Sequence, residues 1–177
     1  LFELMAKADS NAPNNVHFTH AINLCGLKGQ WEQALFFLNG MHSYSLIPNE
    51  VNYGAAMSAC ASCGQWEEAV KMLDQADSVY SIKLTPRLYT TAIAACNNAG
   101  EWEQTFKLLD QMEDRFAAID FHDFKHTASA GIRACRAAGA ESGQWRRAVD
   151  LLMKLLAMRK EESDRTSGTK RLLELSG

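Results

Sequence analysis

Apolar side chains recur along this chain in paired stripes of helical period. Phe18, Ile22 and Cys25 fall at i, i+4 and i+7, one face of a helix. Past Gly29, which can end that helix in the left-handed conformation, Trp31, Ala34, Leu35, Leu38 and Met41 make a second stripe. The pair returns as Tyr53, Met57 and Cys60 followed by Trp66, Ala69, Val70, Leu73 and Ala76. It returns again as Tyr89, Ile93 and Cys96 followed by Trp102, Thr105, Phe106, Leu109 and Met112. A fourth copy keeps Ile132 and Cys135, has Ala128 where the aromatic stood, and continues with Trp145, Ala148, Val149, Leu152 and Leu155. No stretch carries a strand signal, so the pattern predicts an all-α chain of helical hairpins.

One phrase anchors each copy. Gly29-Gln30-Trp31 returns as Gly64-Gln65-Trp66, Gly100-Glu101-Trp102 and Gly143-Gln144-Trp145, which accounts for all four tryptophans. These lie 35, 36 and 43 residues apart. A period near 35 is the signature of an α-solenoid, whose hairpins bury their apolar faces against their neighbours. The Cys-to-Trp distance of 6 in three copies grows to 10 in the fourth, an insertion near 139–142, with further extra residues near 117–124. The expected organisation is the end of a preceding repeat and a turn over 1–14, then repeats at 15–49, 50–85, 86–124 and 125–160. A polar linker over 161–170, followed by a helix start or array cap, completes the chain to 177. Leu1 to Lys7 reads like the ending of a second helix, so a longer array is expected. Each indole, followed three positions on by a small residue (Ala34, Ala69 and Ala148, with Thr105 the exception), is expected in the core between the helices.

Composition changes this picture little. Apolar residues make up 47% and charged residues 22%, as in soluble globular proteins, and no run approaches the 18 apolar residues of a membrane span. Four of the five cysteines occupy one repeat position and so read as small packing residues rather than a disulfide framework. The net charge of −3 argues against nucleic acid, but its distribution does not. The first helices, taken as 15–28, 50–63, 86–99 and 125–138, carry Lys28, Arg87, Lys125, Arg133 and Arg136 against Glu50 alone, a net +4. The second helices of the first three copies (30–45, 65–80 and 101–116) sum to −7. Glu32, Glu67 and Glu103 suit the positive start of a second helix, whereas Arg146 and Arg147 reverse that sign.

Candidate chemistry is sparse. Cys60-Ala61-Ser62-Cys63 is a CxxC without the second ligand pair that zinc requires, and without a βαβ context for redox work. His17 and His20, or His122 and His126, have metal-ligand spacing but no evident companions. Phosphate loops, nucleophile elbows and HExxH are missing, so no enzyme activity, cofactor or metal is expected.

The 35-residue period, the opening aromatics Phe18, Tyr53 and Tyr89, the Ser58-Ala59-Cys60 and Ala94-Ala95-Cys96 phrases, the Gly-x-Trp-Glu turn and Pro48 together resemble the pentatricopeptide repeat family over about 14–160. That resemblance implies a right-handed solenoid whose first helices line a groove for single-stranded RNA, one base per repeat. In the family two side chains choose each base: the one after the opening aromatic and the last of the repeat. Thr19 with Asn49 resembles an adenine reader; Gly54 pairs with Thr85; Thr90 pairs with Asp120 or Phe124; Ser129 opens a fourth pair. Val16 and Val51 match the base-sandwiching position, which Arg87 and His126 fill in later copies; Arg133 and Arg136 make the fourth first helix basic. The resemblance also implies a chloroplast or mitochondrion, and RNA processing, stability or translation. The alternative is a scaffold that binds protein subunits of a large organellar assembly, which the acidic second helices favour.

Overall fold

The computed structural model describes residues 13–78, 82–116, 121–139 and 145–175, with side chains in the last helix described to residue 163. Among these residues there are eight α-helices and no strand. They are α1 (Asn15–Leu27), α2 (Trp31–Gly40), α3 (Glu50–Ser62), α4 (Trp66–Ser78), α5 (Pro86–Ala99), α6 (Trp102–Arg115), α7 (Phe121–Ala138) and α8 (Trp145–Leu175), with a 3-10 turn at Met41–Tyr44 after α2. The chain forms two compact units that divide between Ala99 and Gly100. Of the expected insertion near 139–142, residues 140–142 lie outside the described residues, as do residues 1–12 of the preceding repeat and turn expected over 1–14.

In the first unit, α1 packs on α3 and α3 on α5, while α2 and α4 each lie against their own first helix and the next one. This is the stacking that the hairpin period predicts. Phe18, Ile22, Met41, Tyr53, Met57, Leu73, Leu88 and Ile93 fill the interior, at 5% exposure or less. Alanines at 55, 56, 59, 92 and 95 make the first-helix layer thin. The approach is closest at Gly26, where an added Cβ would stand 3.1 Å from the Cβ of Ala59.

Each hairpin turn follows from its glycine. Gly29 and Gly64 sit at φ 70°, a conformation open to glycine at little cost. The next residue then closes the helix end: the N–H of Gln30 donates to the Cys25 carbonyl at 2.9 Å and that of Gln65 to the Cys60 carbonyl at 3.0 Å. The starts are capped by asparagine. Asn14 Oδ1 accepts from the Val16 and His17 N–H groups, and Asn49 Oδ1 from those of Val51 and Asn52. Asn52 does more: wholly buried, its Nδ2 donates to Thr19 Oγ1 at 2.7 Å, stitching α3 to α1. Asn98 Nδ2 donates to the Ala61 carbonyl at 3.1 Å, joining α5 to α3 at the other end.

In the second unit α7 packs against both α6 and α8. Two expectations are corrected here, and one open point gains a physical account. First, Phe124 takes the place of the missing aromatic: α7 begins at Phe121, a turn earlier than the repeat spacing implied, and Phe124 is buried with Thr127, Ala128 and Ala134. Second, the reversed charge at the start of α8 is answered within the chain. Arg147 pairs with Asp110 of α6 and lies 4.4 Å from the ring centroid of Phe106, while Lys154 reaches Glu113 at 2.6 Å. Third, the polar stretch after Lys160 continues α8 without a break to Leu175 instead of forming a linker.

The indoles are corrected in both units. Trp31, Trp66 and Trp102 are half-buried and Trp145 is 58% exposed; a fully buried position of the second helix lies three places on, at Ala34, Ala69 and Thr105. An indole on the first residue of a helix lies at the end of its hairpin, where solvent reaches one side of it.

Candidate nucleic-acid interface

The outer edge of the first-helix layer carries Val16, Val51 and Arg87, each the second residue of its helix and each exposed. One turn further in come Thr19, Gly54 and Thr90, half-buried. Between α1, α3 and α5 runs an open groove of 270 Å³. Glu50, Val51, Gly54 and Arg87 line it, together with Asn23, Ser58 and Thr91. Three residues singled out from sequence, Val51, Gly54 and Arg87, therefore meet on one surface, and Thr85 joins them by donating its hydroxyl to Glu50 Oε1 at 2.7 Å. Sequence reasoning missed Glu50, Asn23, Ser58 and Thr91. The i, i+4 steps from Thr19 to Asn23, Gly54 to Ser58 and Arg87 to Thr91 were the signal that places them on the same helix faces.

The polar atoms are partly committed. Thr19 donates its hydroxyl to the Asn15 carbonyl at 2.8 Å and accepts from Asn52, so only one acceptor site is left for a base edge. Asn49 spends Oδ1 on its helix cap, which leaves its Nδ2 donors. Thr90 donates to the Pro86 carbonyl at 2.9 Å. In the second unit Ser129 is exposed, its hydroxyl turned to the Lys125 carbonyl at 2.7 Å, with Arg133 and Arg136 exposed further along α7. Of the two partners considered for Thr90, Phe124 is 5% exposed and closed to a base, and Asp120 lies outside the described residues.

The remaining chemistry has structural uses. His17 Nδ1 accepts from the Asn14 N–H at 3.2 Å as half of the cap, and the rings of His122 and His126 meet edge to face at 4.9 Å. Burial, with the nearby charge of Glu68, pushes the Cys60 thiol up to about 11. Among the described residues no three His, Cys, Asp or Glu side chains gather as metal ligands, and no helix is long and apolar enough to cross a membrane.

A family model described as the PPR repeat matches residues 16–46, 51–77 and 87–115. The fold is that of the pentatricopeptide repeat protein PPR10 from maize, to whose crystal structure the chain aligns with a TM-score of 0.63 at 19% identity. That alignment covers 94% of this chain and 26% of PPR10, so the chain spans about a quarter of its length. A second structure, of PPR10 in complex with an 18-nt psaJ RNA element, aligns equally well over 89% of this chain. A search of curated proteins returns no match.

Proposed function

That this chain belongs to the pentatricopeptide repeat family is the premise from which we propose that it binds single-stranded RNA along its first-helix layer. Each repeat takes one base, between the second residues of successive first helices and beside the residue one turn further in. The groove where Val51, Gly54 and Arg87 come together carries this reading, because an aliphatic wall, an open floor and a guanidinium suit a base and its phosphate. The complex of PPR10 with RNA supports it by likeness of fold. Thr19 and Asn49 read an adenine, Arg133 and Arg136 contact phosphates, and the protein works in RNA processing, stability or translation in a chloroplast or mitochondrion.

Selection of the full-length protein against random RNA pools tests this reading. The expected result is a motif with adenine at the Thr19/Asn49 position, moving toward uracil in Thr19→Asn/Asn49→Asp. Failure to enrich any RNA at low salt overturns it.

The scaffold alternative rests on the acidic second helices, which sum to −7 over the first three copies. Stoichiometric co-purification with a protein assembly and without RNA is the result that selects this reading.

A further inference from the structure

Resting on the RNA reading above, we propose that Glu50 is the specificity-determining residue of the second base site and that it selects guanine there. The two side chains at the usual reading positions leave this choice open. Gly54 has no functional group, and Thr85 has committed its one hydroxyl proton to Glu50 Oε1 at 2.7 Å. Glu50 itself lines the groove together with Gly54 and Arg87. It is the first residue of α3, so its backbone fixes it at the edge of the first-helix layer.

A carboxylate only accepts hydrogen bonds, so its preferred base edge is one that only donates. Guanine presents N1–H and the N2 amino group side by side, two donors for one carboxylate. Adenine and cytosine each set one amino group beside a ring acceptor, and uracil flanks its single N–H with two carbonyls; each sets an acceptor against the negative charge. Size points the same way. An added Cβ at Gly54 would meet only Leu88 Cδ2, at 3.7 Å, so the bare backbone leaves room for a purine. Thr85 is a positioning residue here, holding the carboxylate through its hydroxyl.

The test compares the full-length wild type, Glu50→Gln and Thr85→Val in selections from random RNA pools, with circular dichroism as the folding control. Wild type is expected to enrich guanine at the position neighbouring the one set by Thr19/Asn49. Glu50→Gln, which replaces one acceptor by a donor, is expected to lower that preference about tenfold while the other positions of the motif stay as they are. Thr85→Val keeps the carboxylate but frees it, and is expected to weaken the guanine preference less than Glu50→Gln does. An enriched motif without guanine at that position overturns the proposal while the RNA reading stands. So does guanine that survives Glu50→Gln, or guanine lost only in Thr85→Val. Enrichment of no RNA at all overturns both.

Discussion

The side chain of Asn52 makes three hydrogen bonds in the first-helix layer. Its Oδ1 accepts from the Asn49 N–H at 3.0 Å, its Nδ2 serves Thr19 and the Asn15 carbonyl, and water is excluded from it. Asn52→Ala removes a cap bond and the hydrogen bond from α3 to α1, so it is expected to cost about 1–2 kcal/mol, read as a lower urea midpoint at unchanged slope. Thr91→Ala, half-buried with its hydroxyl turned to its own helix, is the control within about 0.5 kcal/mol. Cys60 gives a pH-dependent counterpart. Its thiol is neutral in the fold up to about 11 but ionises near its ordinary value of 9.0 once unfolded. Above pH 9 the unfolded state therefore binds fewer protons, and the stabilising contribution of the neutral thiol is lost as pH rises toward 11. Cys60→Ala is expected to flatten this alkaline decline in chemical denaturation. At pH 8, a maleimide is expected to label half-buried Cys63 well before Cys60.

At the scale of elements, glycines do two different jobs, and substitution separates them. Gly64 is open on all sides but held at φ 70°, so Gly64→Ala costs backbone strain alone, about 1 kcal/mol. Gly131 has ordinary helical backbone, but an added Cβ would stand 2.6 Å from Leu151 Cδ1 and 2.9 Å from Leu109 Cδ1. Gly131→Ala is expected to cost about 1–3 kcal/mol through overpacking of α7 against its neighbours, unless the leucine tips turn aside. Thermal denaturation of the two variants distinguishes strain from crowding, since a compensating Leu151→Val rescues only the second. The first kind of glycine was legible in the recurring Gly-x-Trp phrase. The second was not, because its neighbours come from helices far away in sequence.

On the scale of the molecule, charge sets the affinity that a segment of this length can supply. The basic groups on the first helices are Lys28, Arg87, Lys125, Arg133 and Arg136. Were each to neutralise one phosphate of single-stranded RNA, the slope of log affinity against log salt would be about −3.5. A measured slope no steeper than that is expected for these repeats, and Arg133→Ala with Arg136→Ala should reduce it by about 1.4. A slope unchanged by the double variant removes α7 from the RNA contact.

The four-fold period, the helix type and the turn positions were determined by local sequence, since 3.6-residue stripes, glycine at positive φ and asparagine caps act within a few residues of themselves. The family resemblance was legible for the same reason: it rests on short phrases repeated in register. What only tertiary structure decided is which side chains are already in use. Asn52 of one helix takes up the hydroxyl of Thr19 on another, and Glu50 occupies Thr85. Arg147 answers Asp110 across 37 residues, and Phe124 replaces an aromatic a turn away from its expected place. Hydrogen-bonding capacity and packing volume are shared among distant residues, and a one-dimensional pattern carries no record of that sharing.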